Sequence, residues 1–268
     1  MEIKLIACDL DGTLLDSQGR LSPENLDAIR RMTDKGYCFV PTSGRNREQI
    51  PQALQQFPGI RYLITLSGAC VTQLPEGKAL FRHPLSREHA DRLLRIGKQQ
   101  GAAVLLYTPE GVLLEHGALE QRQDRALLED AIGICRQVED AQAFCLAEDV
   151  QVEKAVFFCR DAAQETRLHQ ALDDGTFQLC VSAENCLEVT ARGIHKATGI
   201  RALLHRLKLL PEQVLTIGDS GNDVSMLELT PNSFAVANAM PEAKRAARHL
   251  TVSNDQHVAL RIARLLGI

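Results

Sequence analysis

The sequence has no block of lysine and arginine long enough to follow a phosphate backbone, and its formal net charge is -4, which argues against a nucleic-acid binder. It has no apolar stretch of the roughly 20 residues that a membrane-spanning helix requires. The apolar run near the amino terminus, Ile3 to Cys8, is short and passes straight into acidic residues rather than a small-residue cleavage site, so a cytoplasmic location is expected. Among the eight cysteines there is no Cys-x-x-Cys pair and no histidine at zinc-finger spacing. That disfavours structural zinc and a disulfide framework, and leaves buried, reduced thiols acting as small hydrophobes. There is also no internal repeat, low-complexity tract or flexible linker. What remains is 268 residues with 45% hydrophobic content, enough to bury a sizeable core in one large domain or two smaller ones.

Apolar periodicity alternates between the two regular structures. Residues 3–9 read as a strand, 23–35 as a helix opening with Ser22-Pro23-Glu24, 37–42 as a strand, 46–57 as a helix and 61–66 as a strand. Such β-α-β alternation implies a parallel sheet with right-handed crossovers. A hairpin is expected at Pro75-Glu76-Gly77, and the texture changes near Pro84. From there the pattern predicts a helix over 86–100, paired strands around Thr108-Pro109-Glu110-Gly111, a helix over 120–136, a strand over 152–159, a helix over 162–173 and further strands. This segment reads as an antiparallel sheet with helices on one face, inserted into a sheet that resumes near residue 187. The expected fold class is therefore α/β, a doubly wound parallel sheet formed by 1–83 and 187–268 with an inserted α+β domain over 84–186. Two chain crossings, near Pro84 and Glu188, would serve as hinges.

The polar residues gather where strands end. Asp9-Leu10-Asp11-Gly12-Thr13 follows the first strand, and alternation would turn Asp9 and Asp11 the same way, with Cys8 on the opposite face. Two carboxylates so close repel unless a cation lies between them or one holds a proton, so the pair suggests both a divalent metal and an acid/base couple. An Asp-Gly turn would account for the same residues more plainly. Two further strands run into polar loops: Tyr37 to Val40 into Thr42-Ser43-Gly44-Arg45, and Val214 to Ile217 into Gly218-Asp219-Ser220-Gly221-Asn222-Asp223, followed by helix from Val224 to Leu229. In a doubly wound sheet the carboxyl ends of neighbouring strands share one crevice, so the three loops are expected to meet.

Asp9-Leu10-Asp11-Gly12-Thr13, Ser43-Gly44-Arg45, Lys196 and Gly218-Asp219-x-x-Asn222-Asp223 resemble, in order and spacing, the four motifs of the haloacid dehalogenase superfamily. The wide gap between the second and third motifs, and Phe234 to Lys244 near the carboxyl end, are similar to the Cof-like subclass IIB, which carries an α/β cap in that gap. Ser67-Gly68 stands where relatives have Asn-Gly, Ala197 where Gly is usual, and Asn254-Asp255-Gln256-His257 departs from the usual ending.

The resemblance implies a phosphatase that forms an aspartyl-phosphate. Asp9 would be the nucleophile and Asp11 the general acid and base. Mg2+ would be held by Asp9, the main-chain carbonyl of Asp11, and Asp219, with Asp223 bound directly or through water. The phosphoryl group would be held by the Leu10 and Asp11 amides, Ser43, the Gly44 amide and Lys196, with Asn222 on the phosphate or fixing the metal loop and Ser43 and Lys196 also counted as catalytic. Thr42 is the rival of Ser43, and Arg45, which would approach the substrate or pair with a surface acid, is left outside the catalytic set. The expected partner is a small phosphorylated metabolite, a sugar phosphate or phosphorylated cofactor, with no nucleic acid or membrane and a monomer or weak homodimer as the assembly. Two other functions are weaker alternatives, the second hard to reconcile with a full set of acids. One is a phosphomutase of the phosphomannomutase type, for which Arg122, Arg125 and Arg136 would supply a second phosphate site, and the other is a catalytically silent phosphate-binding module.

Overall fold

A computed structural model of the chain describes residues 2–116 and 135–268. Contacts divide it into two compact units, Met1–Arg82 with His195–Ile268, and His83–Ile194.

The first unit begins with β1 (Leu5–Cys8), a continuous apolar run buried on both sides, as a central strand of a parallel sheet requires. Helix α1 (Pro23–Asp34) opens where the Ser22 hydroxyl accepts a hydrogen bond from the Asn25 amide, with Pro23 in the first helical position. Then come β2 (Cys38–Pro41), α2 (Gln52–Gln55) and the antiparallel strands β3 (Tyr62–Thr65), β4 (Cys70–Gln73) and β5 (Lys78–Arg82). The helix expected over 46–57 is instead a tight turn, Arg47–Gln49, followed by the single turn of α2. Pro51 is the cause: it has no N–H to give, and it forces the residue before it out of the helical region, leaving Ile50 at ψ 133°.

The second unit contains α3 (Arg87–Gln100), β6 (Ala103–Thr108), β7 (Gly111–Glu115), β8 (Cys135–Val138), α4 (Ala141–Ala147), β9 (Lys154–Phe158), α5 (Ala162–Leu172), β10 (Phe177–Ala183) and β11 (Cys186–Ala191). Its six-stranded sheet has the order β10-β11-β9-β6-β7-β8. Gly97 lets α3 close on the sheet, since a Cβ there would fall 2.3 Å from the Phe157 ring.

Four expectations change here. The sheet is mixed rather than antiparallel, because β8 runs parallel to β7. The helix expected over 120–136 lies outside the described residues up to 134, and its last two positions, Cys135 and Arg136, belong to β8. Asp140 caps a short helix, α4, that periodicity did not register. The sheet of the first unit does not resume at 187: β11 pairs with β9 and β10, so Glu188 sits in mid-sheet and cannot act as a hinge. The chain crosses between units at Ile194 and His195, and earlier at Arg82 and His83.

The first unit is completed by α6 (Lys196–Leu207), β12 (Val214–Gly218), α7 (Val224–Glu228), β13 (Asn232–Ala235), α8 (Pro241–Ala246), β14 (His249–Leu250) and α9 (Val258–Leu265). Five of its strands form one all-parallel sheet in the order β14-β13-β12-β1-β2. Alternation along β1 feeds two cores. Ile6 and Cys8 pack with α1 and α9, while Leu5 and Ala7 pack with Ile200, Leu203 and Leu204 of α6. The order reverses at β1 and β12, so their carboxyl ends flank the crevice where an open α/β sheet binds ligands. No helix among the described residues is long and apolar enough to cross a membrane.

The loop after β1 is held from behind by Asn25. Its side-chain amide donates to the Leu14 carbonyl at 2.9 Å, and its carbonyl oxygen accepts from the Ala259 amide at 2.9 Å. Asn25 is 1% exposed, so Asn25→Ala strands two buried backbone groups. Urea unfolding should show a loss of about 1–3 kcal/mol, the ordinary cost of such orphaned groups.

Candidate active site

Three carboxylates converge at the crevice. Asp9 leaves the end of β1, its amide donating to the Ile217 carbonyl of β12 at 3.0 Å. Asp219 follows β12, and Asp223 ends the tight turn Gly221–Asp223 that leads into α7. One oxygen from each of Asp9, Asp219 and Asp223 lies within 4.8 Å of the others, and Asp223 is wholly buried.

Lys196, the first residue of α6, supplies the countercharge. Its ammonium donates to Asp9 Oδ1 and to Asp223 Oδ1, each at 2.6 Å, and is itself 1% exposed. The other Asp223 oxygen accepts from the amides of Asp219 at 2.9 Å and Ser220 at 3.1 Å. Thr13 donates its hydroxyl to Asp219 Oδ1 at 2.9 Å. Burial, together with the nearby Asp223 charge, pushes the Asp9 carboxyl well above the usual carboxylate range. Burial and Asp223 likewise push Asp219 up to about 6. Burial alone would pull Lys196 down, but Asp223 and Asp9 outweigh it and hold the ammonium protonated.

Two glycines set these distances. Gly68 has φ +97°, and a Cβ there would lie 2.1 Å from the His195 carbonyl, so only glycine lets the start of α6 come this close. Gly12, at φ +74°, brings the turn after Asp11 against Asp219, since a Cβ would fall 2.5 Å from Asp219 Oδ2.

The remaining residues singled out in the sequence occupy varied positions. Asp11 does not share the Asp9 direction: the chain turns after Asp9, and the exposed Asp11 carboxylate lies outside the group of three. It accepts from Arg45 instead, from Nε at 2.8 Å and from a terminal nitrogen at 2.5 Å. Ser43 is buried, and its hydroxyl oxygen accepts from the Arg45 amide at 3.2 Å. Thr42 is more deeply buried and donates to the Val40 carbonyl. Leu10 is buried, Gly44 is half-buried, and the Asn222 side-chain oxygen accepts from the Ser220 hydroxyl at 3.0 Å. Thr13 has no role assigned from the sequence, whereas Arg45 pairs with an exposed acid, one of its two expected roles, though the sequence does not specify which acid. Spacing carries no signal for either contact, since their partners lie 206 and 34 residues away.

A sequence profile of the haloacid dehalogenase-like hydrolases matches residues 6–262. The chain belongs to that family. It is 28% identical over 256 residues to the HMP-PP phosphatase of Klebsiella pneumoniae (strain 342), covering 94% of this chain and 90% of that one. It is 29% identical over 255 residues to the HMP-PP phosphatase of Escherichia coli O157:H7, covering 93% and 89%. Among solved structures, a haloacid dehalogenase-like hydrolase from B. subtilis superposes with a TM-score of 0.87 at 24% identity, covering 98% of this chain and 100% of that one. A sugar phosphatase of HAD subclass IIB superposes with a TM-score of 0.84 at 20% identity, covering 98% and 99%. These likenesses bear out the expected family and the α/β fold, and make the chain a hydrolase.

The three acids fit a divalent metal. They offer hard oxygen donors, and with Lys196 as the ammonium beside them they leave two negative charges uncompensated when all are ionised. The consequence for pH follows from Asp219, whose folded value of about 6 exceeds its usual 3.8. A raised carboxyl binds its proton better in the folded state, so metal-free stability from this group is full below its ordinary range and is lost as pH rises through about 6. In chelator, Asp219→Asn should therefore gain on the unsubstituted chain by roughly 1–3 kcal/mol between acid and neutral pH. Thermal unfolding at a series of pH values measures this, and parallel curves would refute it.

Proposed function

We propose that the chain is a Mg2+-dependent phosphatase that hydrolyses a small phosphorylated metabolite, a sugar phosphate or phosphorylated cofactor, through an aspartyl-phosphate on Asp9. The observation that carries this reading is the buried Lys196 ammonium shared between Asp9 and Asp223, which fixes the Asp9 carboxylate at the mouth of a strand through Oδ1. Asp9, Asp219 and Asp223 would hold the cation, along with the main-chain carbonyl of Asp11. When bound, it would offset the charge of the acids and of the phosphate.

An Asp9 oxygen attacks phosphorus, the bond to the leaving oxygen breaks, and Asp11 gives that oxygen its proton. Asp11 then takes a proton from water, whose oxygen attacks phosphorus and releases phosphate and free Asp9. Lys196 fixes the Asp9 rotamer through both steps, and the Ser43 hydroxyl with the amides of Leu10 and Gly44 hold the phosphoryl oxygens. The unit His83–Ile194 is assigned the choice of substrate. A panel of phosphorylated metabolites that includes HMP-PP and hexose phosphates, assayed for phosphate release with Mg2+, identifies that substrate. Arg122 and Arg125, which a phosphomutase would use, lie outside the described residues, and Arg136 stacks on the Phe144 ring at 4.8 Å.

The different jobs of the two acids give the test. Asp9→Asn should abolish turnover, because an amide is a poor nucleophile. Asp11→Asn should lose about 10²- to 10⁴-fold with an unactivated ester, the usual worth of general acid/base catalysis. A reactive ester needs little protonation of its leaving group, so it should still load Asp9 in Asp11→Asn, and the phospho-enzyme should accumulate. Mass spectrometry after acid quench would find the added phosphoryl group on the Asp9 peptide. Near-normal turnover of an unactivated substrate by Asp11→Asn would refute the assignment.

A further inference from the structure

Asn238 lies within the segment Phe234 to Lys244 and plays no part in the chemistry above. It lies in the loop between β13 and α8, and its side chain is exposed. Its amide nitrogen nevertheless donates to the Gly12 carbonyl at 2.8 Å, and its oxygen accepts from the Asn254 amide at 2.9 Å. Two residues on, the Met240 amide donates to the Asp219 carbonyl at 2.7 Å. The segment Asn238–Met240 thus holds both acidic loops, one through Gly12 and the other through Asp219.

Gly12 is the residue whose backbone presses against Asp219. Its carbonyl also belongs to the peptide next to that of Asp11, so the bond from Asn238 limits rotation of the turn beside the Asp11 carbonyl. Two other carbonyls of the loop are held from the buried side. Leu14 accepts from Asn25 and Leu15 accepts from Asn254 at 3.1 Å, and these two asparagines are 1% and 7% exposed. Their bonds belong to the folded core, whereas the bond from exposed Asn238 buries almost nothing and contributes little to folding. Its effect is on spacing.

We propose that Asn238 is a positioning residue for the metal-bearing loops: by gripping the Gly12 carbonyl it sets the distance between the Asp9–Asp11 turn and Asp219. The inference rests on the metal reading above. Groups that orient metal ligands without touching the ion typically change metal affinity by about 10- to 100-fold when removed.

The test is calorimetric titration of Mg2+ into the chelator-treated full chain, with thermal unfolding in chelator beside it. Asn238→Ala should bind Mg2+ at least about tenfold more weakly, with an unfolding temperature within about 3 °C of the unsubstituted chain. Asn254→Ala is the matched control: it loses the buried bond to Leu15 but leaves the Gly12 bond, so it should unfold earlier and bind Mg2+ within about threefold of normal. Unchanged Mg2+ affinity in Asn238→Ala would overturn the inference alone. So would a loss of affinity in both variants in proportion to their loss of stability. If the unsubstituted chain binds no Mg2+, this inference and the metal reading fall together.

Discussion

The ammonium of Lys196, seated between Asp9 and Asp223, is the interaction on which the rest of the site depends. Three carboxylates within 4.8 Å would repel strongly in a buried setting, and the Lys196 ammonium pairs with two of them. Buried ion pairs are poor sources of net stability, because desolvation of both partners consumes most of the attraction. The value of this one lies in geometry. It fixes the Asp9 rotamer and ties β1, α6 and the loop after β12 to a common point. Gly68 is part of the same arrangement, since any side chain there would push the start of α6 outward and withdraw the ammonium from both acids.

The fold makes that convergence possible by ordinary means. A parallel sheet sends all its carboxyl ends one way, and reversal of strand order at β1 and β12 leaves a crevice between their loops. Loops at such ends have no ladder partners of their own, so their carbonyls must be satisfied from elsewhere. Three asparagines, Asn25 from the helix that follows and Asn238 and Asn254 from near the carboxyl end, serve the carbonyls of Leu14, Gly12 and Leu15. The carboxamide suits this role because it donates and accepts at once. The loop is therefore rigid without being regular, and its rigidity comes from the helices and the carboxyl-terminal segment around it.

What the sequence disclosed and what it hid follow from the range of the interactions. The parallel unit was legible because buried strands are continuous apolar runs and α1 carries a cap, a first-turn proline and a clean stripe. The break at Pro51 was equally local, yet the surrounding apolar spacing outweighed it. The second junction was misplaced because Cys186–Ala191 is an alternating run that either sheet would accept, and only its partners Phe158 to Ala155 decide. The acids were visible through their spacing, which is a property of single strands. The contacts of Thr13 with Asp219 and of Arg45 with Asp11 were not, since each depends on two loops meeting at a particular distance. Strand alternation also failed at Asp11, where the chain leaves the extended path immediately after Asp9 and Gly12 takes a positive φ.

That failure bears on the chemistry. Had alternation continued, Asp9 and Asp11 would share one environment and could not easily differ in function. The turn separates them instead: Asp9 is 4% exposed beside Lys196, while the Asp11 side chain is 52% exposed against Arg45. A nucleophile works best when it is desolvated and held in one rotamer, because no reorganisation is then needed as the bond forms. A group proposed to give a proton to a leaving oxygen and later take one from water needs access to solvent, which the Asp11 side chain has while Arg45 holds both of its oxygens. The different roles proposed for these two acids are served by a backbone that leaves the extended path at Leu10, between them, while the positive φ of Gly12 turns the chain after Asp11 and brings it against Asp219.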